Sequence, residues 1–185
     1  MPLAEIKAPR ISFVELSPDE RRLALGYWSG AVNLWTFPSG LLEATFTNHN
    51  GAVHGLRFSP NGRMLASVSG DGSAKTWDLR SRRELATLRG HSRSVWGEVF
   101  SSDGRRLVTG GVSAKEAVKL WDLPTHRELL TLPAEGQFFF DLSFSPDGNT
   151  LVATSFDGNA HFWHAPSWGE IEAAEAKEKD KARAR

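Results

Sequence analysis

An all-β chain of stacked four-stranded units is what this sequence predicts, and three observations carry the prediction. The phrase Phe58-Ser59-Pro60-Asn61-Gly62 has three relatives: Leu16-Ser17-Pro18-Asp19-Glu20, Phe100-Ser101-Ser102-Asp103-Gly104 and Phe144-Ser145-Pro146-Asp147-Gly148. Their serines Ser17, Ser59, Ser101 and Ser145 stand 42, 42 and 44 residues apart. Each phrase is followed by a tryptophan, and Trp35, Trp77, Trp121 and Trp163 are 42, 44 and 42 residues apart. Four short apolar runs fall inside each period between turn residues, a strand pattern rather than a helical one. A period of this length marks supersecondary units that cannot bury their apolar faces without a neighbour.

The second unit shows the order of elements. Val53 to Phe58 is the first run, and Ser59-Pro60-Asn61-Gly62 ends it. Proline presets φ for a turn, and Asn-Gly accepts the positive φ of a tight connection. Met64 to Val68 follows, then Gly70-Asp71-Gly72 turns the chain into Ala74 to Trp77, and Glu84 to Leu88 is the fourth run. The third unit repeats this as Val95 to Phe100, Arg106 to Gly110, Ala117 to Trp121 and Glu128 to Leu132. Four-stranded meanders at this period make propeller blades. The expected fold is a partial β-propeller of four antiparallel blades, at 11–47, 53–89, 95–132 and 138–164, with a short C-terminal helix.

The blades are expected within 11–166, flanked by an N-terminal segment at 1–10 and a charged helical tail at 167–185. Ser167 with Glu170 three residues on reads as a helix start, and Glu175 and Lys179 form a favourable i,i+4 pair. That helix takes the place of an outer strand in blade four. Leu3 to Ile6 is a candidate outer strand, for blade four or for a blade before Ile11. A four-blade arc exposes apolar faces at both ends. Three readings follow: the C-terminal part of a longer propeller protein, which is favoured; two copies closing an eight-bladed ring; or a four-bladed ring closing alone.

Gly90-His91, Trp77-Asp78, Trp121-Asp122 and the Asp71-Gly72 turn resemble the WD-repeat β-propeller family, over roughly residues 11 to 164. The resemblance implies a buried relay in which a Trp N–H meets Ser, Ser meets His, and His meets Asp. His49, Ser67, Asp71 and Trp77 occupy all four positions in unit two. Unit three keeps His91, Thr109 and Trp121, but its turn is two residues longer and has no Asp. Unit four keeps Asp157 and Trp163, with Ala153 in the Ser position, and unit one keeps only Trp35, with Leu25 and Ser29 in the Ser and Asp positions. The family's usual partner surface implies a protein-binding rim at Trp28, His54, Trp96, Phe140 and Phe156. Phe138-Phe139-Phe140 must place side chains on both faces of a strand, so at least one is expected to be buried.

Composition narrows the function. The 185 residues are 40% hydrophobic and 24% charged, those of an ordinary globular chain. Twenty-two basic against 22 acidic side chains suggest no nucleic-acid or anionic-membrane partner. Zero cysteines exclude disulfides and thiolate metal sites, and fit a reducing, cytoplasmic setting. No apolar stretch is long enough to span a membrane, and Met1 to Lys7 lacks the order of a signal peptide. His49, Ser67 and Asp71 contain the atoms of a hydrolase triad, but the serine lies mid-strand under Trp77 and no Gly-x-Ser-x-Gly elbow surrounds it. His161 and His164 fall on opposite faces of a strand and make no metal site, and no cofactor is expected. A non-catalytic protein-interaction scaffold is the expected function, with a purely structural self-assembling module as an alternative. The Ser-Pro-Asp-Gly turns and the Ala-Pro-Ser-Trp ending are similar to propellers appended to bacterial signalling proteins such as serine/threonine kinases.

Overall fold

The computed structural model describes residues 10–165. The expected strand at Leu3 to Ile6 and the expected helix at 167–185 lie outside those residues. Blade one comprises β1 (Ile11–Leu16), β2 (Arg22–Tyr27), β3 (Val32–Thr36) and β4 (Leu42–Phe46). Blade two comprises β5 (Val53–Phe58), β6 (Met64–Ser69), β7 (Ser73–Asp78) and β8 (Arg83–Arg89). Blade three comprises β9 (Val95–Phe100), β10 (Arg106–Gly111), β11 (Val118–Asp122) and β12 (Arg127–Leu132). Blade four has three strands among the described residues, β13 (Phe139–Phe144), β14 (Thr150–Ser155) and β15 (Ala160–His164). Each blade is an antiparallel meander paired in chain order. A 3-10 turn at Ala114–Glu116 takes up the insertion between β10 and β11.

The recurring phrase owes its repetition to a turn held by side chains. In blade two the Ser59 Oγ accepts the Met64 N–H at 2.9 Å and donates to the Asn61 Oδ1 at 2.8 Å, while Asn61 accepts the Arg63 N–H at 3.0 Å. Asp19, Asp103 and Asp147 play the Asn61 part beside Ser17, Ser101 and Ser145. Gly62 takes φ +65° with nothing near its absent Cβ, so glycine is there for backbone freedom rather than for space.

The inner strands follow one another around the arc: β1 packs on β5, β5 on β9 and β9 on β13. Three apolar cores fill the gaps between blades. Ala24, Val32, Leu34 and Phe46 of blade one meet Val53, Leu56, Leu65 and Trp77 of blade two. Ala66, Val68 and Leu88 of blade two meet Val95, Leu107 and Trp121 of blade three. Val108 and Val118 of blade three meet Phe139, Leu151 and Ala153 of blade four, with Trp163 packed alongside. At every junction the tryptophan-bearing face looks back at the preceding blade. Phe46 and Trp77 stack with centroids 4.6 Å apart, and burial of such rings is the largest apolar contribution a junction can receive.

Candidate interaction surface and the blade relays

Blade two brings His49, Ser67, Asp71 and Trp77 together. The Trp77 indole N–H donates to the Ser67 Oγ at 2.9 Å, and the Ser67 Oγ lies 2.8 Å from the His49 Nε2. The His49 Nδ1 lies 3.0 Å from the Asp71 Oδ2, which also accepts the Asn50 N–H at 2.9 Å. The other Asp71 oxygen takes the Ser73 N–H at 2.9 Å and its hydroxyl at 2.6 Å. Burial works to raise the Asp71 pKa, but the hydrogen bonds from Ser73, Asn50 and His49 outweigh it and hold the group at about 2. Burial lowers the His49 pKa, so a neutral imidazole with its proton on Nδ1 satisfies the whole chain. Ser67 is 0% exposed and closed off by the indole, which leaves no path for a substrate to its hydroxyl.

Blade three keeps half of this. The Trp121 N–H donates to the Thr109 Oγ1 at 2.8 Å, and that oxygen lies 2.8 Å from the His91 Nε2. The His91 Nδ1 has no well-formed hydrogen bond and lies only near the Glu116 carbonyl. Burial and the Lys119 charge push His91 down to about 4. Glu116, from the insertion, accepts the Ser92 N–H at 2.8 Å, the backbone contact that Asp71 makes with Asn50. Sequence reasoning placed no functional carboxylate in this turn. In blade four, Asp157 accepts the Gln137 N–H at 3.2 Å, and Trp163 stacks on His161 at 6.0 Å rather than joining a relay. In blade one the Trp35 N–H is buried without an acceptor, as Leu25 in the Ser position requires.

Two further clusters were missed. Lys75, on β7, puts its ammonium 3.1 Å from Glu84 and 2.5 Å from the Thr87 hydroxyl on β8. Lys119 does the same with Glu128 at 3.0 Å and Thr131 at 2.7 Å. The signal was present: Glu and Thr follow each lysine at the same offsets in both units. Glu98 was also unforeseen. It takes in β9 the place of Leu56 in β5, and its carboxyl abuts Gly55, where any Cβ would collide with it. Its Oε2 has no hydrogen-bond partner, and burial pushes its pKa well up.

The inner strands carry the surface feature of most interest. In every blade the register between the first and second strands slips by one residue near the start of the inner strand, leaving Ser12, His54, Trp96 and Phe140 out of the ladder. Such bulges re-aim a side chain away from the regular alternation. Three of the four converge: His54, Trp96 and Phe140, with Phe13, Phe138 and Phe156, line an apolar pocket of about 610 Å³. His54 stacks on Trp96 at 4.0 Å, Trp96 meets Phe138 edge-on at 5.7 Å, and Phe138 meets Phe156 at 6.0 Å. Phe138 holds φ +55°, a strained conformation for a bulky residue and a common mark of functional sites. Beside the pocket, and sharing Phe138 and Phe156 with it, lies a cleft of about 700 Å³ lined also by Arg93, Gln137 and Asp157.

The five rim residues therefore divide. Phe156 is 79% exposed and Phe140 46%, whereas Trp96 and His54 are half-buried and form the back wall. The Trp96 indole N–H is buried with no acceptor, and the His54 Nδ1 donates to the Val95 carbonyl at 3.2 Å. Trp28 is 59% exposed and holds in blade one the loop position that Phe156 holds in blade four, but it does not line the pocket. Phe139 is the fully buried member of the Phe138-Phe139-Phe140 run.

Antiparallel blades packed in series, with a His–Ser–Trp relay in blade two and a His–Thr–Trp relay in blade three, define a β-propeller repeat protein. The WD domain, G-beta repeat family matches residues 40–78, 82–122 and 127–164, and the chain belongs to that family. No curated protein matches it. Among the described residues no helix is long and apolar enough to cross a membrane.

Proposed function

We propose that this chain is a non-catalytic scaffold that captures a protein partner in the aromatic pocket of Phe13, His54, Trp96, Phe138, Phe140 and Phe156. The observation that carries this reading is the bulge repeated in each inner strand, which aims side chains from separate blades into one apolar pocket. Exposed aromatic rings around a desolvated centre, with a polar margin at Arg93, Gln137 and Asp157, have the anatomy of an interface hot spot. The blade relays act structurally in this reading, since Ser67 is sealed from substrate. A place in a cytoplasmic signalling assembly follows from the likeness of the turns and of the Ala-Pro-Ser-Trp ending to bacterial signalling propellers.

Panning a displayed peptide library on the immobilised protein tests the reading. Selected peptides should lose about tenfold or more in affinity with Phe156→Ala or Phe140→Ala, a loss of about 1.4 kcal/mol or more. The melting temperature should stay near that of the parent. Peptides indifferent to both variants, or labelling of Ser67 by a serine-reactive fluorophosphonate, would overturn it.

A further inference from the structure

The junction between blades is heterologous: a tryptophan-bearing face on the later blade meets an aliphatic face on the earlier one. Both halves of this junction remain unpaired among the described residues, one at each end of the arc. In blade two the later half is Val53, Leu56, Phe58, Leu65, Trp77 and Leu79, none more than 4% exposed. One period earlier, the same six positions hold Ile11, Val14, Leu16, Leu23, Trp35 and Phe37, and every one is apolar. Yet Ile11 is 42% exposed, Val14 56%, Leu16 39% and Phe37 36%.

At the opposite end, Val152, Ala160 and Phe162 hold in blade four the positions of Ala24, Val32 and Leu34 in blade one. The pairing agrees, since Val152 lies opposite Phe162 as Ala24 lies opposite Leu34. Leu34 is 0% exposed against blade two, whereas Phe162 is 68% exposed. An apolar surface of this pattern is a docking face rather than a solvated one.

We infer that a second copy of this chain docks head to tail, the Val14–Trp35 face of one copy on the Val152–Phe162 face of the other. The chain already forms this junction three times, and the two open faces continue the series. Because the two halves are different surfaces on one chain, each copy supplies what the other lacks. Heterologous contacts form closed rings when the rotation closes. Two four-blade arcs give eight blades, within the range of about 4 to 8 that propellers adopt. The inference does not rest on the aromatic pocket.

Sedimentation velocity and light scattering on the full chain, across micromolar concentrations, should give a closed species of twice the monomer mass. Val14→Asp and Phe162→Asp each place a charge on an exposed position, so each should yield a folded monomer. Mixing the two variants should restore a two-chain species, because each retains the half the other lost. Should either variant fail to fold, hydrogen exchange on the parent substitutes: β1 and β15 should gain protection on going from dilute to concentrated protein. A parent that stays monomeric, a dimer indifferent to both variants, a dimer that only one variant breaks, or open-ended polymers would each overturn the proposal.

Discussion

Blade two holds its imidazole by both ring nitrogens, and blade three holds His91 by one. The four-strand order, the buried tryptophan and the Lys–Glu–Thr cluster are the same in both. The insertion explains the difference. It removes the aspartate that would face His91, and its 3-10 turn places Glu116 so that the carboxylate still reaches the backbone N–H after the histidine. What this blade preserves is the backbone anchor that fixes the incoming chain, and what it releases is the side-chain bond. The inner strands differ as well, with Leu56 fully buried in blade two and Glu98 buried at the matching place in blade three. Blade three is thus built of the same parts with less of its polar inventory satisfied, and it should be the less stable unit.

The largest expected effect is in blade two. Asp71→Ala strands the His49 Nδ1 and both the N–H and the hydroxyl of Ser73, and it frees the Asn50 N–H at the surface. At about 1–3 kcal/mol for each buried group left unpaired, the loss should be about 3 kcal/mol or more. A chain of this size loses about 2–4 °C per kcal/mol, so melting should fall by roughly 10 °C. Calorimetry that found the parent's melting temperature would remove the basis of the comparison.

Glu98→Gln should act in the opposite direction. The folded pKa of Glu98 is raised, so the unfolded chain ionises first, and the stability of the protonated form is lost as pH rises above the ordinary carboxylate range of about 4.5. Removing the ionisation should therefore raise the melting temperature at pH 8 by a few degrees, with the gain vanishing toward pH 4. A melting difference that did not change with pH would show that Glu98 keeps its charge in the fold.

The smallest effect belongs to Glu116→Ala. Its one backbone bond lies at the surface, where the Ser92 N–H can turn to water, so the loss should be about 1 kcal/mol or less. Urea titration of this variant beside Asp71→Ala measures the two anchors directly. Equal losses would mean that Glu116 carries as much as Asp71 and that the blades are equivalent.

The sequence by itself determined the repeat, the antiparallel meander and the residues of the blade-two relay. The repeat and the meander follow from local rules: period-two alternation, turn chemistry at Ser59-Pro60-Asn61-Gly62, and a repeat spacing that maps one unit onto the next, whereas the relay residues were implied by the resemblance to WD repeats. Alternation also says which side chains share a blade face, and so which of Phe138, Phe139 and Phe140 can be buried together. It does not say what that face meets. Only the tertiary structure decided that Trp96 forms a wall while Phe156 projects, since a one-residue bulge breaks the alternation from which direction is read. The contact of Glu116 with Ser92 was not legible because a 3-10 turn, invisible to strand periodicity, brings the carboxylate back over the Ser92 N–H. The fit of Glu98 against Gly55 depends on contact between strands 42 residues apart, where the missing Cβ of one admits the carboxyl of the other. Local patterns set the blades, and packing between blades, which no local pattern encodes, set the pocket and the two open faces.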